Sequence, residues 1–473
     1  MKEKIHTNVI VLGSGPSGYS AAFRCADLNL ETILIERYTK LGGVCLNVGC
    51  IPSKALLYLS QVIEQARSIN TSGIIFDSPK IDIIKIQLWK QKIIDKITNS
   101  LLKMSDLRKI KIINGMAKFV DSNTVIVESV SKTITIQFNH AIIATGSYPV
   151  KISSIPYKDH RIWDSTEALK LKIIPKNMLV IGAGAIGLEI STIYNTLGTK
   201  IDIIELSSKI FPSVDKDVTD FYYNQINNKF NFIFNAEISN VQSKDDGVYV
   251  TIKSHESQKI QRYDIILVAV GRMPNTKFIN LDNIGIQLNN NGFIVTNQQM
   301  QTNIPHIYAI GDVVGHPMLA HKGSHEGHIA AEVISGLNHF FDTKIIPNIV
   351  YTEPNIAWVG MTEQEAKEKN IEYKIAIFPW KASGRAIASH FSDGITKLIF
   401  NKKTNRIIGG SVVGMNSGEL LGEISLAIEM GCEAEDIVLT IHGHPTFYES
   451  INLAAQIYTG SITDLPKYKN TTN

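Results

Sequence analysis

The chain has 473 residues, 44% hydrophobic and 19% charged, with 47 Lys and Arg against 44 Asp and Glu for a formal net charge of +3. These fractions are those of a globular protein, and at about 150 residues per domain the length predicts roughly three domains. So small a net charge, with its lysines and arginines scattered, gives no ground for nucleic acid or a membrane surface as a partner.

The first apolar run, Asn8–Leu12, leads into Gly13-Ser14-Gly15-Pro16-Ser17-Gly18 and then a helical pattern. At four residues, Val9–Leu12 is too short for the core of a signal peptide. A second β-run, Thr32–Ile35, ends in Glu36, about 20 residues past the glycines, where a ribose-binding carboxylate belongs. In such a unit the first glycine allows the tight turn, the second admits a pyrophosphate, and the third lets helix pack on strand. The helix N-terminus then offers its unpaired N–H groups to the phosphates.

Gly42-Gly43-Val44-Cys45-Leu46-Asn47-Val48-Gly49-Cys50-Ile51-Pro52-Ser53-Lys54 follows within the same supersecondary unit. The sequence has only four cysteines, Cys25, Cys45, Cys50 and Cys432, too few for a secreted disulfide scaffold. A close pair in a reducing compartment points to redox or metal chemistry. No second Cys or His pair with ligand spacing lies nearby, so no metal is expected.

In a regular helix, residues five apart are separated by about 7.5 Å along the axis, whereas a disulfide needs Cα atoms nearer about 5.5–6 Å. The pair therefore requires a distorted turn, which Gly42, Gly43, Gly49 and Pro52 suit. A helix following Pro52 would direct its positive end at the sulfurs and favour the thiolate. Lys54, one helical turn after Cys50, would share its face.

Further along, residues 86–105 carry apolar positions at helical spacing (Trp89, Ile93, Ile97, Leu101). Ile112-Ile113, Thr124–Val127 and Thr133–Ile136 read as strands of a meander, and His140–Gly146 as a strand running into a turn. The nucleotide unit then recurs: Met178–Ile181, the turn Gly182-Ala183-Gly184-Ala185-Ile186-Gly187, a helical pattern, and Ile201–Ile204 ending in Glu205. Two complete copies with matching acids predict two bound dinucleotides. Ile265–Arg272 and Ile307–Asp312 are further strand-to-turn units.

Beyond about residue 346 the glycine turns thin out, which predicts an α+β domain without a nucleotide signature. It carries His444 and Glu449, which a thiol relay could use as proton acceptor and orienting acid. No apolar run approaches the roughly 20 residues of a membrane span, and a cytoplasmic location is expected.

Taken together, Gly13–Gly18, Gly42–Lys54, Ala144–Gly146, Gly182–Glu189, Val270–Asn275, Ala309–Asp312, Met318–His321 and His444–Thr446 with Glu449 resemble the pyridine nucleotide–disulfide oxidoreductases nearly end to end. Within that family the resemblance is to the bacterial branch that oxidises dihydrolipoamide for 2-oxo acid dehydrogenase complexes. It implies an α/β fold with two Rossmann-like domains, for FAD and NAD, and a C-terminal α+β dimerisation domain. The expected boundaries are 1–148 for the FAD domain with the redox cysteines, 149–272 for the NAD domain, 273–345 for a central domain completing the FAD site, and 346–473 for the interface domain.

The resemblance further implies that Glu36 holds the FAD ribose, with Gly13, Gly15, Gly18, Lys54, Ala117, Gly146, Asp312 and Ala320 also serving FAD. NAD would lie at Gly182, Gly184 and Gly187, with Glu205 on its ribose and Gly271 near; Glu189 would pair with Lys54. Cys45 would be the interchange thiol and Cys50 the thiol against the flavin. His444, oriented by Glu449, would be the base, acting on the cysteines of the other subunit of a homodimer. The partner would be the lipoyl domain of an acyltransferase (E2) subunit. Gly443, where the family more often has alanine, and Tyr448, where it has a smaller residue, depart from the pattern. An NADPH-linked disulfide reductase would want basic residues where this chain has Glu205-Leu206-Ser207-Ser208-Lys209.

Overall fold

The protein's structure, a computed structural model, describes residues 3–129, 132–254 and 257–466. Strand β1 (Glu3–Leu12), helix α1 (Pro16–Asp27) and strand β2 (Thr32–Glu36) form the first nucleotide unit, with β2 parallel to β1. The second half of β1, Val9–Leu12, and all of β2 are buried to a few per cent exposure, the pattern of parallel strands covered on both faces. Helices α2 (Gly43–Val48), α3 (Cys50–Ser68) and α4 (Ile83–Leu107) follow. The spacing that predicts a helix over 86–105 thus marks α4, whose N-terminus is set by the Asp82 carboxylate accepting the Lys85 N–H.

Strands β3 (Lys111–Asn114), β4 (Met116–Asp121), β5 (Thr124–Glu128) and β6 (Thr133–Ile143) complete the order β3-β2-β1-β6-β5-β4. Two expectations are corrected here. Ile112 and Ile113 belong to no meander: β3 pairs in parallel with β2 at the far edge of the sheet. Thr133–Ile136 and His140–Ile143 are one strand, because β1 pairs with β6 over its whole length, Glu3 opposite Ile134 through Leu12 opposite Ile143.

The chain leaves this sheet through β7 (Ser147–Pro149) and enters the second nucleotide unit. Its elements are β8 (Ile162–Trp163), α5 (Ser165–Lys170), β9 (Asn177–Ile181), α6 (Ala185–Thr196), β10 (Lys200–Ile204), α7 (Lys216–Ile226) and β11 (Asn231–Ile233). An antiparallel trio, β12 (Ala236–Lys244), β13 (Gly247–Ser254) and β14 (Gln258–Tyr263), precedes β15 (Ile265–Val268), which returns to a parallel sheet of order β11-β10-β9-β15-β8. The return strand β16 (Arg272–Pro274) pairs antiparallel with β7, so exit and re-entry form one ribbon. Strand β17 (Ile307–Ala309) then joins the first sheet as a parallel partner of β6, and α8 (Ala320–Ile334) packs on α1. The segment after the second fold therefore completes the first.

The last unit has strands β18 (Asn348–Val350), β19 (Asn355–Gly360), β20 (Tyr373–Pro379), β21 (Ile395–Asn401) and β22 (Ile407–Gly414) in the antiparallel order β18-β19-β22-β21-β20. Helices α9 (Glu363–Glu368) and α10 (Gly384–Ala388) lie in its connections, and α11 (Ser417–Met430), α12 (Ala434–Leu439) and α13 (Glu449–Thr459) close the chain. This is the α+β domain the thinning of glycine turns predicts. By length and composition the stretch Gly43–Ser72 resembles a membrane span. It is broken at Gly49 and packs against α4 and α6.

The second and third units are tied by Lys397, whose side chain on β21 is wholly buried. Its ammonium lies 3.1 Å from Asp215, 2.7 Å from Asp217 and 2.5 Å from Glu363. Those carboxylates are the only group among the described residues clustered closely enough for a metal ion, and the ammonium already stands among them. Replacing Lys397 by methionine leaves three carboxylates without their cation, and removing one member of a buried ionic cluster costs about 3–5 kcal/mol. We expect Lys397→Met to lower the midpoint of chemical denaturation correspondingly, and an unchanged midpoint would contradict this account of the interdomain contact.

Candidate active site

The cysteine pair sits where two helices abut. Gly42 and Gly43 adopt left-handed backbone (φ 103° and 57°) that starts α2, and Gly49 (φ −138°, ψ −113°) breaks it from α3. The break removes the axial spacing of a continuous helix and brings Cys45 and Cys50 together as two thiols joined by a hydrogen bond. Helix α3 begins at Cys50 itself, not after Pro52 as the sequence suggests. Pro52 fits inside the first turn because the N–H it lacks has no intrahelical partner there.

The two thiols are pushed in opposite directions. Cys50 is drawn down to about 7, first by the hydrogen bond from Cys45 and then by the Lys54 charge, against burial and the Glu189 carboxylate. Cys45 is held well above the usual thiol range, first as donor of that bond and then by burial. The negative charge that the pair carries near neutral pH therefore lies on Cys50 rather than Cys45, at the positive end of α3.

Lys54 follows one turn later on the same helix. Its Nζ reaches Oε1 and Oε2 of Glu189 at 2.9 and 2.8 Å and lies 4.6 Å from the centre of the Tyr351 ring. Glu189 is a buried residue of α6, and its Oε1 also accepts the backbone N–H of Tyr351 at 3.1 Å. Three structural units thus meet beside the dithiol.

The two glycine turns are built alike. Gly13 and Gly182 both have φ 103°, and a Cβ on Gly18 or Gly187 would run into the carbonyl oxygen of Gly13 or Gly182 respectively. A Cβ on Gly15 or Gly184 would meet only open space. The acids also match. Glu36 accepts the Ser14 N–H (2.9 Å), the Ser14 hydroxyl (2.6 Å) and the Tyr38 N–H (2.9 Å). Glu205 accepts the N–H groups of Ala183 and Ser207, both at 2.9 Å. Gly15 and Gly184 are the N-cap residues of α1 and α6, and neither helix has a side-chain cap. Uncapped N–H groups, an open second glycine and a fixed carboxylate make a donor set that fits a dinucleotide at each turn.

One cleft gathers the first turn and the dithiol. It is lined by Gly13, Gly15, Glu36, Cys45, Cys50, Lys54, Ala117, Gly146, Glu189, Asp312 and Ala320. Gly18 lies outside its lining, packed against Gly13 and Ala144. Gly182, Gly184, Gly187, Glu205 and Gly271 also lie outside it: the first four build the second turn, and Gly271 (φ 116°) follows β15. His444 and Glu449 are not in the cleft either. His444 Nδ1 lies 3.0 Å from Oε2 of the buried Glu449, while the His444 side chain is 76% exposed on the surface of the chain.

Three residues at this site carry no assignment from sequence. Arg272 donates from Nε to the Ser147 hydroxyl and from Nη2 to the Ser147 carbonyl, each at 2.7 Å, and Ser147 in turn donates to Asp312 at 2.5 Å. Burial lowers the Arg272 pKa. The only signal for Arg272 is its place directly after Gly271, and Ser147 and Tyr351 have no local signal.

A dithiol in the cleft of one dinucleotide turn, in a chain that carries a second such turn, is the arrangement of a nucleotide-dependent disulfide oxidoreductase. The chain belongs to the pyridine nucleotide-disulphide oxidoreductase family, which matches residues 7–327, and residues 346–455 match that family's dimerisation domain. It is similar to a dihydrolipoyl dehydrogenase of Buchnera aphidicola (58% identical over 471 residues, 99% of each chain) and to one of Vibrio cholerae (54% over 470 residues, 99% of each). Among solved structures, the flavoprotein disulfide reductase RclA from Escherichia coli superposes with a TM-score of 0.85 at 25% identity, over 95% of this chain and 99% of that one.

The electrostatics around Cys50 give predictions of opposite sign. In the reduced protein, alkylation of Cys50 by iodoacetamide, followed by peptide mass spectrometry, should rise with pH through about 7. Lys54→Met removes a charge that favours the thiolate and should move the inflection up. Glu189→Gln removes a repelling charge and should move it down. An inflection that stays put in both variants would refute the assigned causes.

Proposed function

We propose that the protein oxidises dihydrolipoamide to lipoamide and reduces NAD+, using Cys45 and Cys50 as its exchanging thiols, FAD at the Gly13 turn and NAD at the Gly182 turn. The observation that carries this reading is the pair of thiols flanking the Gly49 break, with Lys54 one turn on, in the cleft that also holds the first nucleotide turn. Bound FAD and NAD supply the hydride and electron transfer that no side chain provides.

The residues then divide the thiol chemistry. In the oxidised Cys45–Cys50 pair, the better leaving group is the sulfur with the lower pKa. A substrate thiolate therefore attacks Cys45; a bond forms from the substrate sulfur to Sγ of Cys45, the Cys45–Cys50 bond breaks, and Cys50 departs as the thiolate. The second substrate thiol attacks the mixed disulfide, closing lipoamide and freeing Cys45. Lys54, itself held by Glu189, stabilises the charge left on Cys50.

His444 takes the substrate proton. The carboxylate of Glu449 accepts from Nδ1, which fixes the proton there and leaves Nε2 as the basic nitrogen. Because His444 is exposed and outside its own chain's cleft, we assign it to the dithiol of a second copy in a homodimer. The dimerisation domain supports that assignment. The substrate form is a lipoyl domain of an E2 subunit of a 2-oxo acid dehydrogenase complex, and the compartment is the cytoplasm. Both of Glu205's carboxylate oxygens are held by backbone N–H groups, which supports NAD over NADP, since a 2′-phosphate would meet this carboxylate.

The test is a steady-state assay of NADH and NADPH oxidation with lipoamide and glutathione disulfide as competing acceptors. Turnover with NADH and lipoamide is expected, and a preference for NADPH with glutathione disulfide would overturn the reading. His444→Gln should lower dihydrolipoamide oxidation about 10²–10⁴-fold, the worth of one general base. Near-normal rates would remove His444 from the mechanism.

A further inference from the structure

The loop between α12 and α13 carries two histidines, and only His444 has a role in the reaction proposed above. The other, His442, is held on both sides of its ring. Its Nε2 lies 2.7 Å from Oε1 of Glu423 on α11, and its Nδ1 lies 2.8 Å from the carbonyl oxygen of Thr440. A carbonyl and a carboxylate both accept, so these partners favour the imidazolium, which donates from both ring nitrogens. Its side chain is only 5% exposed.

The ring of Tyr448 lies against this imidazolium, with centroids 5.3 Å apart and planes 37° apart. The same tyrosine closes the loop with its hydroxyl oxygen, which accepts the Gly443 N–H at 2.8 Å. Gly443 is the residue immediately before His444. The Thr446 hydroxyl donates to the Gly443 carbonyl at 2.7 Å, so both polar backbone groups of Gly443 are fixed.

A Cβ on Gly443 would stand 2.8 Å from the Tyr448 hydroxyl oxygen. That is closer than a carbon and an oxygen can sit without one moving. Gly443 therefore needs no side chain because Tyr448 fills the space, and Tyr448 reaches the backbone because Gly443 leaves it open.

We propose that His442 and Tyr448 are positioning residues that hold the His444 loop in its reactive shape, and that Gly443 and Tyr448 act as one coupled pair. This rests on reading His444 as the base. The physical basis is that a base acts only from a defined place, and a misplacement of about 1 Å can cost about 10²-fold in rate. The clamp fixes the backbone on the N-terminal side of His444, while Glu449 fixes its ring from the other side.

A double-mutant cycle on the FAD-loaded full-length enzyme tests this, with kcat for dihydrolipoamide oxidation, KM for NAD+ and thermal midpoint read for each variant. Gly443→Ala, which drives a methyl into the hydroxyl, should lower kcat about 10- to 100-fold. Tyr448→Phe loses one hydrogen bond and keeps the ring, and should cost about 5-fold. In the Tyr448→Phe background, Gly443→Ala meets no hydroxyl and should cost less than about 2-fold more, so the pair is strongly non-additive. KM for NAD+ should stay constant throughout.

Additive effects of the two substitutions on kcat would overturn the proposal. So would non-additivity in the thermal midpoint alone, which would make the pair merely structural. A wild-type enzyme that binds FAD but fails to oxidise dihydrolipoamide would instead overturn the functional reading on which the clamp rests.

Discussion

The ion pair between Lys54 and Glu189 is the contact on which the rest of the site depends. A carboxylate as buried as Glu189 is costly without a partner, and its partners come from two other units: the ammonium of α3 and the backbone N–H of Tyr351. The second nucleotide fold can therefore close on the first only with Lys54 aimed at it. Lys54 shares a helix face with Cys50, so the same packing that joins the units also fixes a charge that, after the hydrogen bond from Cys45, lowers the Cys50 pKa. Domain assembly and thiol ionisation are one electrostatic arrangement.

The two nucleotide turns show how a repeated solution acquires different uses. Gly13, Gly18 and Glu36 match Gly182, Gly187 and Glu205 in backbone angle, close contact and hydrogen-bond partners. What separates them is the chain that follows. After the first acid comes the Gly42–Lys54 segment, with its two glycines at positive φ and a break at Gly49. After the second comes a short turn and α7, and no thiol. The thiol pair is added to the first copy alone, at the point where its cleft opens toward α6.

The third unit contributes in another way. It sends Lys397 into a cluster of carboxylates that spans two units, and it presents His444 outward on a loop held by Glu449, His442 and Tyr448. An exposed imidazole held by a buried carboxylate lies outside its own chain's cleft, and the proposed function assigns it to the cleft of a second copy. Membership of the pyridine nucleotide-disulphide oxidoreductase family, with a match to its dimerisation domain, agrees with that division.

By itself, the sequence determined the features whose cause is local. A G-x-G-x-x-G turn needs its glycines whatever surrounds it, an apolar run between turns becomes a buried strand, and Cys50 and Lys54 lie one helical turn apart along the chain. Hence the two nucleotide folds, the α+β end and the cysteine segment were all legible, and so was the pairing of His444 with Glu449 five residues on. Only the tertiary structure decided what rests on contacts distant in the chain. The strand β6 is continuous because β1 lies beside it, Ile112 and Ile113 pair with β2 rather than forming a meander, and α3 starts at Cys50 because Gly49 breaks the backbone there. Ser147 meets Arg272 and Asp312, and Glu189 meets Lys54 and Tyr351, across separations of 125 residues and more, and no local pattern encodes a contact between segments so far apart.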